Sequence, residues 1–425
     1  MRHAWIIATG TELALGQTVN TNGAWLAARL AALGIRTERH ITVADDAAAT
    51  RDSVLQAAQA SDVVLITGGL GPTDDDLTRQ ALADAAGVPL ELHAPSLEHL
   101  RAFFANRGRE MPERNRVQAL VPHGARALEN SCGTAPGVRI ELYGTPCFAL
   151  PGVPFEMRAM FERAVGPELR ATAGGTVLLS RRLHTVGLGE SDIGMRLRDL
   201  MQRGRNPEVG TTAEFGLVGI RVNAAAETRA AAEAGLEATE DEIRRRLGEL
   251  VFGRDEETLA GVVGALLVAA GETLSTAESC TGGMIGALLT DVAGSSRYYC
   301  GGVVAYANEA KVNLLGVAPT LLAEHGAVSA PVARAMAEGA TRSFGTDYGI
   351  AVTGIAGPDG GTAQKPVGLV YIGLQAPDSG KVGEYRFGAD SPREAIRIRA
   401  ARMALDVLRR HMLRGSAGDA SGGGR

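Results

Sequence analysis

The chain opens with apolar runs that alternate with amphipathic stretches. Trp5–Ala8 is short and wholly apolar, which predicts a buried strand, and apolar positions then recur at helical spacing over Thr21–Leu33 until Gly34. Thr37–Val43 and Asp62–Thr67 repeat the strand pattern. Ala47–Ala60 and Asp76–Ala86 repeat the helical one, the second closed by Gly87. This βαβαβα order predicts an α/β fold with a doubly wound parallel sheet. Ligands of such sheets lie beyond the carboxyl ends of the strands. Two polar, glycine-containing loops fall there: Thr9-Gly10-Thr11-Glu12-Leu13, and Thr67-Gly68-Gly69-Leu70-Gly71-Pro72-Thr73-Asp74-Asp75-Asp76.

The pattern changes after residue 170. Ala171–Gly175 is a run of small residues that reads as a linker. Residues 176–252 read as a small α+β unit: a strand Val177–Val186, a helix Glu190–Gln202, strands Val209–Thr212 and Gly216–Asn223, and a helix Arg229–Leu247. A helix over Asp255–Ala270 begins a third domain in which strand and helix alternate again. Its strands end near Glu278, Tyr306 and Val352, strands Val367–Leu374 and Val382–Phe387 follow, and helices cover Pro331–Phe344 and Pro392–Leu413. The Gly/Ser-rich residues 414–425 read as a disordered tail. Three domains, 1–170, 176–252 and 255–413, suit a chain too long for one ordinary core.

Composition narrows the function. The 45% hydrophobic and 21% charged content is that of a soluble globular protein, and a net charge of −5 argues against bulk nucleic-acid binding. The apolar run Leu259–Ala270 is too short to span a bilayer, and the N-terminal run reads as a strand rather than a signal peptide. Cys132, Cys147, Cys280 and Cys300 lack metal-binding spacing and read as reduced thiols of a cytoplasmic protein.

The sharpest chemical signal lies at Glu278-Ser279-Cys280, a turn between an apolar strand and a helix entered through Thr281-Gly282-Gly283. A hydroxyl on such a turn is presented next to unpaired N–H groups that can hold an oxyanion. Its missing partner is a base. Of the 43 basic residues only Lys311, Lys365 and Lys381 are lysines, and Lys311 sits just inside the helix after the next strand. Arginine stays protonated in proteins, whereas a desolvated lysine can become a neutral base, so Ser279 and Lys311 suggest a Ser–Lys dyad. A solvated surface role for Lys311 is the alternative, and Cys280 is the rival nucleophile, although a cysteine at such a turn is more often packed inward. In the first domain, glycines followed by Asp74, Asp75 and Asp76 suggest a phosphate site bridged by a divalent cation. The alternative is a cluster that caps the following helix.

These residues carry a family resemblance. Ala277-Glu278-Ser279-Cys280-Thr281-Gly282-Gly283, Tyr306-x-Asn308-x-x-Lys311 and Val352-Thr353-Gly354-Ile355-Ala356-Gly357-Pro358 resemble the signatures of the CinA C-terminal domain. The resemblance implies a nicotinamide-nucleotide amidase that converts nicotinamide mononucleotide (NMN) to nicotinate mononucleotide and ammonia without a metal or organic cofactor. It implies Ser279 as nucleophile, Lys311 as base, Tyr306 as relay and Thr353 as a site hydroxyl. Glu278, Thr281, Gly282 and Gly283 would line the substrate, with Arg397 of the Ser391–Arg399 stretch, where Ser391-Pro392-Arg393 stands in place of the expected Gly-Asp-Arg, as its cationic ligand. The glycine loops, with Asn130-x-x-Gly133-Thr134-Ala135-Pro136-Gly137 and Leu150-Pro151-Gly152-Val153-Pro154, are similar to the molybdopterin-binding (MoaB/MogA-like) domain of the same family. That half implies a phosphate-bearing ligand held at Gly10, Glu12, Gly68, Gly69 and Gly71, and Mg or a similar divalent cation on Asp74, Asp75 and Asp76. ADP-ribose pyrophosphatase activity and molybdopterin binding both remain open for it. The middle unit resembles a KH domain, but Gly187-x-Gly189-Glu190 is acidic and lacks the GXXG form, so a spacer or dimerisation role is expected rather than nucleic-acid binding. The resemblance further implies a homodimer. A regulatory protein that binds nucleotides at both sites without turnover is the competing expectation.

Overall fold

The computed structural model describes residues 2–172, 175 and 177–419. It divides into two compact units, Met1–Leu179 with Ala224–Gly235, and Ser180–Asn223 with Leu236–Arg425.

The first unit is built on a six-stranded sheet. β1 (Arg2–Thr9), β2 (Ile35–Val43) and β3 (Val63–Thr67) arise from the first three apolar runs, and β1 pairs in parallel with both others. β4 (Leu90–Leu92) and β5 (Leu120–Pro122) form a separate two-stranded ribbon. β6 (Arg126–Leu128), β7 (Gly137–Leu142) and β8 (Thr145–Leu150) complete the sheet in the order β2-β1-β3-β8-β7-β6. β8 runs parallel to β3, while β7 is antiparallel to it. Strand alternation sends Trp5, Ile7, Val64 and Ile66 into one core and Ala4, Ile6, Val63 and Leu65 into another. Both sheet faces are therefore covered, as the unbroken apolar runs require. The predicted helix from Asp76 begins instead at Thr78, because the Asp76 carboxylate is held by the preceding loop.

The four-stranded middle sheet has the order β10-β11-β9-β12. Its strands are β9 (Val177–Val186), β10 (Glu208–Glu214), β11 (Leu217–Ala226) and β12 (Val251–Arg254). The helix predicted over Glu190–Gln202 stops at Arg196 and gives way to turns after the Leu197 carbonyl accepts from Leu200 and Met201.

The C-terminal sheet contains β13 (Leu274–Glu278), β14 (Tyr299–Val304), β15 (Tyr348–Gly354), β16 (Leu369–Gln375) and β17 (Gly380–Arg386). Its order is β14-β13-β15-β16-β17, with β13 parallel to both neighbours and the last two strands antiparallel. The chain leaves β13 to one side for β14 and returns to the other for β15, so β13 ends at a topological switch point, where such sheets place their ligands. One face packs Leu274, Ile350, Val352 and Val370 against Val263 and Leu267 of the helix Leu259–Ala270, and against Ile396, Ala400 and Leu405 of the final helix. The other packs Ala277 and Ala351 against Val332, Met336 and Ala340 of the helix Ala330–Phe344. The helix predicted from Asp255 starts at Leu259, where the Thr258 hydroxyl caps the Gly261 N–H. The final helix, Arg393–Asp419, continues past the expected start of the tail at 414, and residues 420–425 lie outside the described residues.

Candidate functional site

Three loops follow β13, β14 and β15 and meet at one edge of the C-terminal sheet. The Ser279 N–H donates to Val352 O at 2.9 Å, and Ala305 N–H donates to Glu278 O at 2.8 Å, extending the ladder past the strand ends. Strand geometry thus delivers Ser279 and the Ala305–Tyr306 segment to the same place. The helix after β14 begins at Asn308 and returns Lys311 over that edge.

Lys311 is 1% exposed, which removes the solvated-surface reading. Its Nζ lies 3.2 Å from Ser279 Oγ, 2.8 Å from Ala305 O and 3.0 Å from Tyr306 O. Burial lowers its pKa from 10.5, against the weaker opposing pull of neighbouring groups that include Glu309. All three neighbours can accept from an ammonium; in the neutral amine that burial favours, two N–H bonds reach the carbonyls, which only accept, and the lone pair is left for the serine hydroxyl. Cys280 points the other way. It belongs to the apolar core, and burial pushes its thiol up to about 12, so it carries no thiolate at neutral pH.

The turn between Ser279 and the helix Met284–Thr290 is held from both sides. Glu278 is 2% exposed, and its carboxylate accepts from the N–H groups of Gly283 (3.0 Å), Ile285 (3.1 Å) and Gly286 (2.9 Å). It therefore caps this helix and is not turned toward a ligand, which corrects its expected substrate role. Gly282 N–H closes back on Ser279 O at 3.2 Å. The N–H groups of Gly282 and Gly283 are accordingly engaged, and they are not the free oxyanion donors that the turn sequence suggests. Among the described residues, the Cys280 and Thr281 N–H groups donate to no oxygen, and the buried Thr281 hydroxyl has no partner. The Cys280 N–H, directly after Ser279, is thus left unengaged by any oxygen at the turn.

The other expected site residues are brought to the same edge in different roles. Tyr306 is exposed, and its hydroxyl meets Arg393 Nη2 at 3.3 Å rather than Ser279 or Lys311, which contact each other directly. The Thr353 hydroxyl is buried and donates to Ala327 O at 2.8 Å. Arg397 donates through Nε to Cys280 O (3.1 Å) and through Nη2 to Thr281 O (2.9 Å). Arg393 also reaches Gly357 O at 2.6 Å. Its part in joining two site loops was hidden in the sequence, where only its place one helical turn before Arg397 hints at it.

In the first unit, the loops after β1, β3 and β8 also share an edge. Asn22, not singled out by any sequence motif, ties them together by donating to Thr67 Oγ1 (3.0 Å) and Gly152 O (2.8 Å), and its buried Oδ1 has no partner among the described residues. Thr78 Oγ1 donates to Gly68 O at 2.9 Å. The glycines serve close packing: a Cβ on Gly68 would strike the Thr9 carbonyl, on Gly69 the Thr78 hydroxyl, and on Gly71 the Asp76 carboxylate. A Cβ on Gly10 would lie 2.6 Å from the Glu12 carboxylate, which is exposed above it. Asp76 accepts from Gly71 N–H (2.7 Å), Thr73 N–H (2.9 Å) and Thr73 Oγ1 (2.5 Å). The buried Arg79 guanidinium binds the Leu70 and Gly71 carbonyls at 2.5 and 2.7 Å. Asp74 and Asp75 are exposed. No group of three His, Cys, Asp or Glu side chains among the described residues is placed to hold a metal ion. The expected Asp74–Asp75–Asp76 ligand set is thus not assembled, because Asp76 serves its own loop, and the arrangement does not fit a resident cation.

Comparison with known proteins matches three segments of the chain. A model of the probable molybdopterin binding domain matches residues 5–171, the damage-inducible protein CinA KH domain matches 180–253, and the CinA C-terminal domain matches 256–412. A competence-damage inducible protein of Symbiobacterium thermophilum is 48% identical over 420 residues, spanning 96% of this chain and 99% of its own. A CinA-like protein of Gloeobacter violaceus is 46% identical over 412 residues, 96% of each chain. The solved structure of competence/damage inducible protein CihA from Agrobacterium tumefaciens is 44% identical where it aligns, covering 35% of this chain and 91% of its own at a TM-score of 0.35. No described helix is long and apolar enough to cross a membrane. With relatives of this identity matched from end to end, the chain belongs to the CinA family.

Proposed function

We propose that the C-terminal domain hydrolyses the carboxamide of nicotinamide mononucleotide through an acyl-enzyme on Ser279. The observation that carries this reading is the enclosed Lys311 Nζ, 3.2 Å from Ser279 Oγ, with two carbonyls taking its other protons. Neutral Lys311 accepts the Ser279 proton as Oγ bonds to the carboxamide carbon, and the Cys280 N–H meets the developing oxyanion. The lysine then returns the proton to nitrogen, the C–N bond breaks and ammonia leaves. Water, deprotonated by the same amine, cleaves the ester to release nicotinate mononucleotide and restore Ser279. The choice of substrate rests on the family motifs quoted above.

For the first unit we propose a phosphate-bearing ligand such as ADP-ribose at the edge formed by Gly10, Gly68, Gly69 and Gly152, with Asn22 Oδ1 accepting from one of its hydroxyls. No catalytic step is assigned there.

The test is release of ammonia and nicotinate mononucleotide from NMN, without added metal, by the wild-type, Ser279→Ala and Cys280→Ala proteins. Release by wild type and Cys280→Ala, lost in Ser279→Ala, is expected. Persistence in Ser279→Ala sinks the proposed nucleophile. Binding of NMN without product would establish a nucleotide-binding module instead.

A further inference from the structure

We infer that Arg397 is a positioning residue: its guanidinium holds the nucleophile turn in shape, and the chemistry it supports is that of Ser279 rather than recognition of the substrate phosphate. The inference rests on the Ser–Lys reading of the site. Arg397 Nε and Nη2 donate to the carbonyls of Cys280 and Thr281, two adjacent peptides of the turn. In a trans peptide the C=O and the following N–H point in opposite directions within one plane. Fixing these two carbonyls therefore fixes the Thr281 and Gly282 N–H groups as well. The Gly282 N–H is the one that closes on Ser279 O at 3.2 Å, so the clamp acts directly on the nucleophile's own carbonyl and on the peptide joining Ser279 to Cys280. That peptide bears the Cys280 N–H to which the oxyanion is assigned above.

The turn needs such a clamp. Gly282 and Gly283 both have left-handed backbones, φ +63° and +92°, and glycine is the residue least restrained to any conformation. Glu278 restrains the turn through the amides of Gly283, Ile285 and Gly286, and Arg397 restrains it through the carbonyls on the other side. A Cβ on Gly282 would already approach Arg397 Nη2 to 3.3 Å. One helical turn earlier, Arg393 joins Gly357 O to the Tyr306 hydroxyl. The first two turns of the final helix thus lace together the loops that follow β13, β14 and β15. Lysine cannot replace Arg397 here, because one ammonium cannot present a planar pair of donors to two successive carbonyls.

A small alkyl fluorophosphonate separates the two roles, since it carries neither a nucleotide nor a pyridine ring. Ser279 Oγ attacks its phosphorus and fluoride leaves, so the labelling rate reports the nucleophile and its oxyanion donors alone. In the full-length protein, Arg397→Lys is expected to slow labelling of Ser279, followed by intact mass and peptide mapping, by about 10-fold or more. It should lower kcat for NMN to a similar extent while KM stays within about 3-fold. Added guanidinium ion should restore labelling in Arg397→Ala. Unchanged labelling and kcat with a raised KM would overturn the inference and make Arg397 a substrate ligand. Absence of both labelling and NMN hydrolysis in the wild-type protein would overturn the Ser–Lys reading, and the inference with it.

Discussion

The two loop clusters occupy equivalent places, each at the carboxyl edge of parallel strands, but their charged side chains have different fates. At the C-terminal edge, Glu278 and Arg397 take up the backbone valences of the turn, and Lys311 is left with its reactive nitrogen against a hydroxyl. At the N-terminal edge, Asp76 and Arg79 do the same work for the Gly68–Asp76 loop, and among the described residues no hydrogen-bonded base–nucleophile pair lies beside them. A charge on a glycine-rich turn is thus first a claim on the turn's own amides and carbonyls. The groups left over after those claims are met, Ser279 and Lys311 in one unit and Asn22 Oδ1 in the other, are the ones on which the proposed functions rest.

The largest effects should fall on the dyad. Ser279→Ala and Lys311→Arg are each expected to lower kcat for NMN by about 10³-fold or more, and the double variant should be little worse than either, because the two groups act as a unit. Additive losses in steady-state assays would break the pair apart. The pH profile of kcat/KM should rise as Lys311 loses its proton, with a midpoint below 10.5. Stability carries the same sign: the unfolded chain binds this proton more tightly than the folded one, so Lys311 penalises folding below its depressed pKa. The penalty is relieved as pH rises from that value toward 10.5, which chemical denaturation of wild type and Lys311→Met would show as a difference in pH slope.

Smaller effects test the supports. Glu278→Gln removes the charge that caps three amides and should cost about 1–2 kcal/mol in denaturant melts, with a loss of activity. Asp76→Ala should destabilise the first unit by about 1–3 kcal/mol, because two loop amides lose their acceptor. Asp74→Asn and Asp75→Asn should stay within about 0.5 kcal/mol, since both side chains are exposed. Equal losses at all three aspartates would contradict the separate role given to Asp76. Cys280→Ala should cost about 1 kcal/mol through a small core cavity and keep most of the activity.

Much of this was legible in the residues. Uninterrupted apolar runs such as Val63–Ile66 gave away buried parallel strands, and the scarcity of lysine singled out Lys311. What stayed hidden was which partner each polar group takes. Glu278, Arg397 and Asp76 are chemically plausible ligands in sequence, and only the folded turn shows their valences engaged by its own backbone. Asn22 went unmarked, and Arg393 was named without this role, because their partners lie more than 35 residues away, at Thr67, Gly152, Gly357 and Tyr306. Helix boundaries shifted where a cap intervened, as at Thr258, or where a loop claimed the first carboxylate, as at Asp76.

The central claim is that Lys311 stands neutral as the base for Ser279, and its titration can be observed directly. With only three lysines in the chain, nuclear magnetic resonance of isotope-labelled lysine side chains should resolve each ammonium. One resonance should titrate below 10.5 and vanish in Lys311→Arg, while Lys365 and Lys381 remain. Three lysines titrating together near 10.5 would contradict it.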